Sequence, residues 1–263
     1  MQNFHREGAK EETVSEIIRF VQNQLGDSLD FFLKERSVRD SDRAVGRRIA
    51  GNGPESRAVM ENGLRFGVDF LYGTNTGLFL DARPLRAWVK RNSEDRRVLN
   101  LFSYTGAFGV AAAAGLSRSV TNVDIVPSAI ERGRRNFERN QLESDSRTHM
   151  KAEVFEFLQR AAKSGHTWDA IIADPPPVPT RGTRGKKKRG RGFDPSADIE
   201  RLMGRCHGLL NEGGWLLACS ALRGSSRFEG RLPGDAAQRT RIARGSDFPG
   251  PDDEGLRGWV ISR

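Results

Sequence analysis

The sequence predicts an α/β fold: a nucleotide-type parallel sheet with helices on both faces, preceded by a small α+β region with a β-hairpin. Three observations carry this. Val98 to Asp124 reads as strand, glycine turn, helix, strand, acid. Further apolar strands downstream each end in a polar or acidic residue. Upstream, Asn62-Gly63 stands between two alternating apolar runs and supplies the positive φ angles of a two-residue hairpin turn.

The chain has 263 residues, enough for one large or two modest domains. We expect a division into residues 1–75 and residues 76–263. Apolar residues make up 37%, polar but globular, and no run approaches the roughly 18 apolar residues of a membrane span. The opening MQNFHREGAKEE lacks the apolar segment of a signal peptide, so a cytoplasmic protein is expected, as monomer or homodimer. Cys206 and Cys219 form no disulfide framework, and the four histidines are scattered, so no metal is expected. A formal net charge of +9 favours a polyanionic partner such as RNA, the plainer alternative being solubility.

Taken in order, Glu11 to Leu25 predicts a helix with Val14, Ile17, Ile18, Val21 and Leu25 at three- and four-residue steps. Leu29 to Leu33 predicts a short strand, and Lys34 to Arg57 a charged loop with at most one helical turn. The hairpin follows, with Leu64, Phe66 and Val68 on one face. Pro84 opens a helix whose inner face carries Leu85, Trp88 and Val89.

Arg97 to Phe102 predicts a buried strand, and Ser103-Tyr104-Thr105-Gly106 the turn after it. Gly106 lets the backbone pass close to a ligand. Asp124, 18 residues on at the end of the next strand, is placed to accept hydrogen bonds from ribose hydroxyls. The dinucleotide fingerprint needs three glycines in phase, and only Gly106 and Gly109 are present. An adenosine ligand without phosphates, S-adenosylmethionine, fits better. A nicotinamide site and a plain βαβ core remain alternatives.

Pro127 starts the next helix, Thr148 to Lys151 predicts a third strand, and Glu153-Val154-Phe155 opens a helix. Glu153 could receive an adenine amino group, or be an ordinary first-turn acid favoured by the helix dipole. Trp168 to Ala173 predicts a fourth strand ending in Asp174-Pro175-Pro176-Pro177. The prolines stiffen the backbone and fix Asp174. Gly106, Asp124, Glu153 and Asp174 are thus all assigned to strand ends, where open α/β sheets bind ligands.

Thr180 to Gly192 has no apolar residue, and seven of the eleven residues from Arg181 to Arg191 are basic: Arg181, Arg184, Lys186, Lys187, Lys188, Arg189 and Arg191. A loop is expected there that contacts RNA phosphates beside Asp174, the alternative being a solvated insertion without a role. Ile199, Leu202, Met203, Cys206, Leu209 and Leu210 form one helix face, making Cys206 a core thiol. Gly213-Gly214 turns into a fifth strand, Trp215 to Ala218, with Cys219 at its end. Gln238 to Ala243 and Leu256 to Ser262 complete the sheet.

These motifs resemble the bacterial class I methyltransferases acting on large-subunit ribosomal RNA, which make 5-methylcytosine or 7-methylguanine. The matching stretches are ENGLRFGVDF (61–70), TGLFLDARP (76–84), VLNLFSYTGAFGVAAAAG (98–115), TNVD (121–124), RRNFERNQL (134–142), DPP (174–176), LLNEGGWLLACS (209–220) and LRGWVIS (256–262). The resemblance implies a seven-stranded Rossmann-like sheet with its last strand antiparallel, and S-adenosylmethionine as cofactor. Its implied cofactor set is Thr76, Asp81, Arg83, Asn100, Phe102, Ser103, Tyr104, Thr105, Gly106, Ala107, Asp124, Ile125, Asn140, Glu153, Val154, Phe155 and Asp174. Asp174 and Pro175 border the methyl group.

Two departures stand out. Relatives commonly carry an aromatic soon after DPP; here Pro177-Val178-Pro179 stands there, and the next aromatic is Phe193. Methylating cytosine C5 needs a thiolate to attack C6. Relatives place that cysteine where this chain has Ala221, so Cys219 is a catalytic candidate only if the strand end shifts. Nitrogen methylation needs no cysteine. The competing readings are an RNA-binding or ribosome-assembly protein that keeps the cofactor pocket, and a methyltransferase with a protein or small-molecule acceptor.

Overall fold

The computed structural model describes residues 11–34, 46–73, 75–145, 147–180, 192–221, 228–248 and 255–263. The basic stretch Arg181 to Arg191 therefore lies outside the described residues. The chain divides into two compact units. One holds residues 1–60 and 65–78; the other holds residues 61–64 and 79–263.

In the first unit, α1 (Glu11–Leu25) has the expected periodicity. Strand β1 (Phe31–Leu33) pairs antiparallel with β2 (Arg47–Ala50). Strand β2 falls inside Lys34 to Arg57, where the sequence predicts a loop. Its four residues carry too little alternation to signal a strand, and the partner that makes it one lies fourteen or more positions away. Lys34 closes this unit: its ammonium, buried, donates to the carbonyls of Asp69, Tyr72 and Gly73 at 2.9–3.1 Å. Strands β3 (Ser56–Glu61) and β4 (Leu64–Asp69) form the hairpin; its tip, residues 61–64, falls to the second unit and turns through Asn62 and Gly63 at φ +50° and +78°.

The second unit is a three-layer α/β sandwich. Its sheet comprises β5 (Arg97–Leu101), β6 (Ser119–Asp124), β7 (His149–Lys151), β8 (Trp168–Ala173), β9 (Leu210–Ser220), β10 (Arg239–Ile242) and β11 (Arg257–Ser262). The spatial order is β10-β11-β9-β8-β5-β6-β7. Strands β5 to β9 run parallel, and β11 is antiparallel to both β9 and β10, as the resemblance implied. Strand β9 is longer than expected: it begins at Leu210 and runs through Gly213, whose φ of +72° bends it without ending it.

Helices α5 (Val154–Lys163) and α6 (Pro195–Gly208) bury Phe157, Leu158, Ile199, Leu202, Met203 and Cys206 against Leu99, Leu101, Ile171, Ala173, Leu216 and Ala218 of the sheet. Burial of that many aliphatic side chains, roughly 1.5–3 kcal/mol each, is the main force holding this face. On the opposite side α3 (Ala107–Ala114) packs on β5 and β6, between α2 (Arg83–Arg91) and α4 (Pro127–Arg139). Its small residues allow close approach: a Cβ on Gly109 would lie 2.2 Å from Asn122 Oδ1. The chain leaves β5 toward β6 and β7, then returns to β8 on the other flank. Strand order thus reverses between β5 and β8, the place where open α/β sheets bind ligands.

Candidate active site

The turn after β5 is built from three left-handed residues in alternation: Phe102 (φ +55°), Tyr104 (φ +48°) and Gly106 (φ +70°). Only the third is glycine. A side chain in this region costs of order 1–3 kcal/mol and persists where surroundings over-determine it. Here the surroundings are hydrogen bonds to β6. Ser103 N–H donates to Val123 O at 3.0 Å, and Gly106 N–H to Ser103 O at 2.8 Å. Tyr104 N–H donates to Asp124 Oδ2 at 2.8 Å, while Val126 N–H donates to Oδ1 at 2.9 Å. Burial raises the Asp124 pKa, and the amides of Val126, Tyr104 and Ile125 oppose that rise. Ile125 and Val126, just beyond the acid, are exposed apolar side chains.

Behind the turn lies a layer of buried amides. Asn100 Nδ2 donates to Asn122 Oδ1 at 2.8 Å, and Asn122 Nδ2 to Thr148 O at 3.2 Å. Asn136 Nδ2 donates to Thr105 O at 2.9 Å, and Asn140 Nδ2 to Asn136 O at 2.8 Å. Asn100 and Asn140 are thereby tied into the scaffold of the turn. Ser103 Oγ, buried within it, has no hydrogen-bond partner among the described residues. An orphaned hydroxyl beside a glycine turn and an acid suits a ligand bearing both ribose and charged amino-acid groups.

Glu153 caps α5, accepting from Glu156 N–H at 2.9 Å. The next residues diverge: Val154 is buried in the core, and the Phe155 ring carries the Arg201 guanidinium at 3.9 Å. Phe193 is buried too, packed against Phe102 at 5.1 Å and Phe155 at 6.3 Å between ring centroids. It also clasps Thr180: Thr180 N–H donates to Phe193 O at 2.8 Å, and Phe193 N–H to Thr180 Oγ1 at 2.9 Å.

At the end of β8, Asp174 is partly accessible yet densely surrounded. Burial, reinforced by the Asp81 carboxylate, pushes its pKa up to about 7, with Arg86 pulling the other way. The structure thus brings Asp81 and Asp174 within electrostatic reach across 93 residues of sequence. Cys219, fully buried at the end of β9, faces the same charge; burial and then Asp174 push its thiol well up. Pro175 is buried beside them.

Sequence reasoning missed Arg86. Its guanidinium, 3% exposed, makes a bidentate pair with Glu61 (Nε–Oε1 and Nη2–Oε2, both 2.7 Å) and donates to Phe79 O at 2.8 Å. That last bond fixes the turn Leu80–Ala82 bearing Asp81. The available signal was position: Arg86 lies between Leu85 and Val89 on the buried stripe of α2. Arg83, by contrast, is half-exposed and pairs with Asp247 at 2.6 Å. Thr76 belongs to the first unit, where its carbonyl accepts from Asp69 N–H at 2.8 Å. A separate cavity at the strand starts, lined by Arg97, Ser119 and Trp168, contains none of the predicted cofactor-site residues.

A profile of the family described as S-adenosylmethionine-dependent methyltransferase matches residues 25–224. The chain belongs to that family. This methyltransferase-family chain is 36% identical over 200 residues to the ribosomal RNA large subunit methyltransferase I of Pseudoalteromonas translucida, covering 71% of this chain and 46% of the relative. To the protein of the same name from Tolumonas auensis it is 34% identical over 239 residues, covering 81% and 56%. It therefore spans about half the length of the curated relatives it matches. A solved methyltransferase structure complexed with SAH superposes with TM-score 0.79 at 27% identity, covering 95% of this chain and 66% of that one. The family's cofactor is S-adenosylmethionine, and the turn, Asp124 and the orphaned Ser103 hydroxyl fit it.

Proposed function

We propose that this chain transfers a methyl group from S-adenosylmethionine to a base of large-subunit ribosomal RNA. The reading rests on 34–36% identity to curated relatives named for that activity. In it, Phe102 to Ala107 wraps the methionine part, Asp124 binds the ribose, and Ile125 and Glu153 to Phe155 border the adenine. The excess of basic residues, concentrated between Arg181 and Arg191, favours RNA phosphate contact.

The cofactor supplies an electrophilic methyl carbon on a sulfonium; the protein must place an acceptor in line and exclude water. Nitrogen is the acceptor the site favours over cytosine C5. Attack at C6 requires a thiolate, and Cys219 is completely buried with its thiol held protonated by burial and by Asp174. A carboxyl titrating near neutral pH suits an acceptor bearing N–H groups instead. In its ionised form Asp174 would take up the proton that an acceptor nitrogen gives up on methylation.

The test is nucleoside mass spectrometry on unmodified large-subunit ribosomal RNA treated with pure protein and isotope-labelled S-adenosylmethionine. A labelled methylguanine or methyladenine is expected. Labelled 5-methylcytosine would return Cys219 to the chemistry. Cofactor binding without labelled RNA would overturn the reading.

A further inference from the structure

We propose that Phe79 is the residue on which the acceptor base stacks; this rests on the RNA methyltransferase reading above. A base that is to react must leave its own stack, and proteins hold unstacked bases against aromatic faces. The segment after Asp174 offers none: Pro177, Val178 and Pro179 carry no aromatic ring. Phe193, the next aromatic, is buried against Phe102 and Phe155 and closes the Thr180 clasp. The Phe155 face is covered by Arg201.

Phe79 differs from these rings in three ways. It is 43% exposed, beside Leu80 at 59%, and its ring contact among the described residues is a tilted one with Tyr104 at 5.8 Å. It stands two residues from Asp81, whose carboxylate acts on Asp174, so it belongs to the edge where the acceptor must sit. And its backbone is held: Phe79 O accepts from Arg86, itself locked to Glu61. A rigidly mounted, half-exposed ring needs little reordering to receive a base. Arg132 lies beyond, its guanidinium 5.9 Å from the Tyr104 ring, adding positive charge suited to a nucleotide phosphate.

The experiment compares wild type, Phe79→Ala and Phe79→Tyr on unmodified ribosomal RNA, with SAH affinity by calorimetry and melting temperature as parallel readouts. Phe79→Ala should lower kcat/KM for RNA by about thirtyfold, mainly through KM, the size expected for one lost base stack. SAH affinity should stay within about twofold, and Phe79→Tyr should restore most of the loss. Unchanged kcat/KM in Phe79→Ala would overturn the assignment. A parallel loss of SAH affinity would give the ring to the cofactor and overturn it as well. Wild-type protein that binds SAH yet labels no RNA would instead remove the functional reading on which the assignment rests.

Discussion

Tyr104 donates its backbone N–H to the Asp124 carboxylate from a left-handed conformation, linking the turn after β5 to the end of β6 at 2.8 Å. The strained turn and the acid thus support each other, and the ligand edge is preformed. Asp124→Ala should lower SAH affinity more than a hundredfold, ribose hydrogen bonds and turn geometry going together. Gly106→Val should lower it at least tenfold. Space at Gly106 is ordinary, with Gly133 Cα 3.4 Å from an added Cβ, but a β-branched residue resists φ +70°. Calorimetric titration of both variants checks this; wild-type affinity in either would count against the site.

Glu61 and Arg86 form a buried bidentate pair. Removing one partner leaves an uncompensated charge, so Glu61→Ala should cost about 3–5 kcal/mol by denaturant unfolding. Pairing Glu61→Leu with Arg86→Met should recover much of that loss. An additive double variant would mean that the two side chains do not depend on each other.

Asp174 makes pH a direct probe. Its folded pKa of about 7 lies above its unfolded value, so the folded state holds a proton that the unfolded state has released. Its contribution to stability is present at acid pH and is lost as pH rises through 7. As proton acceptor it works only when ionised, so the transfer rate should rise across the same interval. Asp174→Asn should flatten both profiles and reduce the rate by 10²–10⁴-fold.

His149 works in the opposite sense. It is buried between the Phe137 ring and Gly133, and both ring nitrogens lack partners among the described residues. Burial, with Arg134 adding to it, lowers its pKa to about 4. The unfolded chain therefore takes up the proton first, and stability falls between about pH 6.5 and 4, by about 3 kcal/mol in all. His149→Phe should remove that acid-side slope in urea titrations run as a function of pH.

The basic stretch Arg181 to Arg191 lies outside the described residues, but its role is measurable. Neutralising Lys186, Lys187, Lys188 and Arg189 should flatten the log K against log salt slope for RNA by about three units. An unchanged slope would leave that stretch without a phosphate-binding role.

Most elements of the sheet unit were legible because their signals are local. Val98 to Asp124 carries its strand, turn, helix and acid in consecutive residues, and the observed φ of Gly106 is the kind that glycine there anticipates. The hairpin turn at Asn62-Gly63 is equally local. Strand β2 was not legible, since Arg47 to Ala50 becomes a strand only through β1. Arg83 and Asp247, 164 positions apart, gave no joint signal. Beyond its position in α2, Arg86 carries no signal of its own in the sequence; burial and Glu61, 25 positions away, give it its role.

By itself, then, the sequence determined the order and type of the elements around the βαβ unit and which acids stand at strand ends. Those follow from residue period, turn chemistry and backbone conformation over a few positions. Only the tertiary structure decided which carboxyl titrates near neutrality, which ring is covered and which is exposed, and which arginine is buried. Desolvation and Coulomb interactions sum over whatever the fold brings near, and for Asp174 the charged neighbours come from positions 81 and 86.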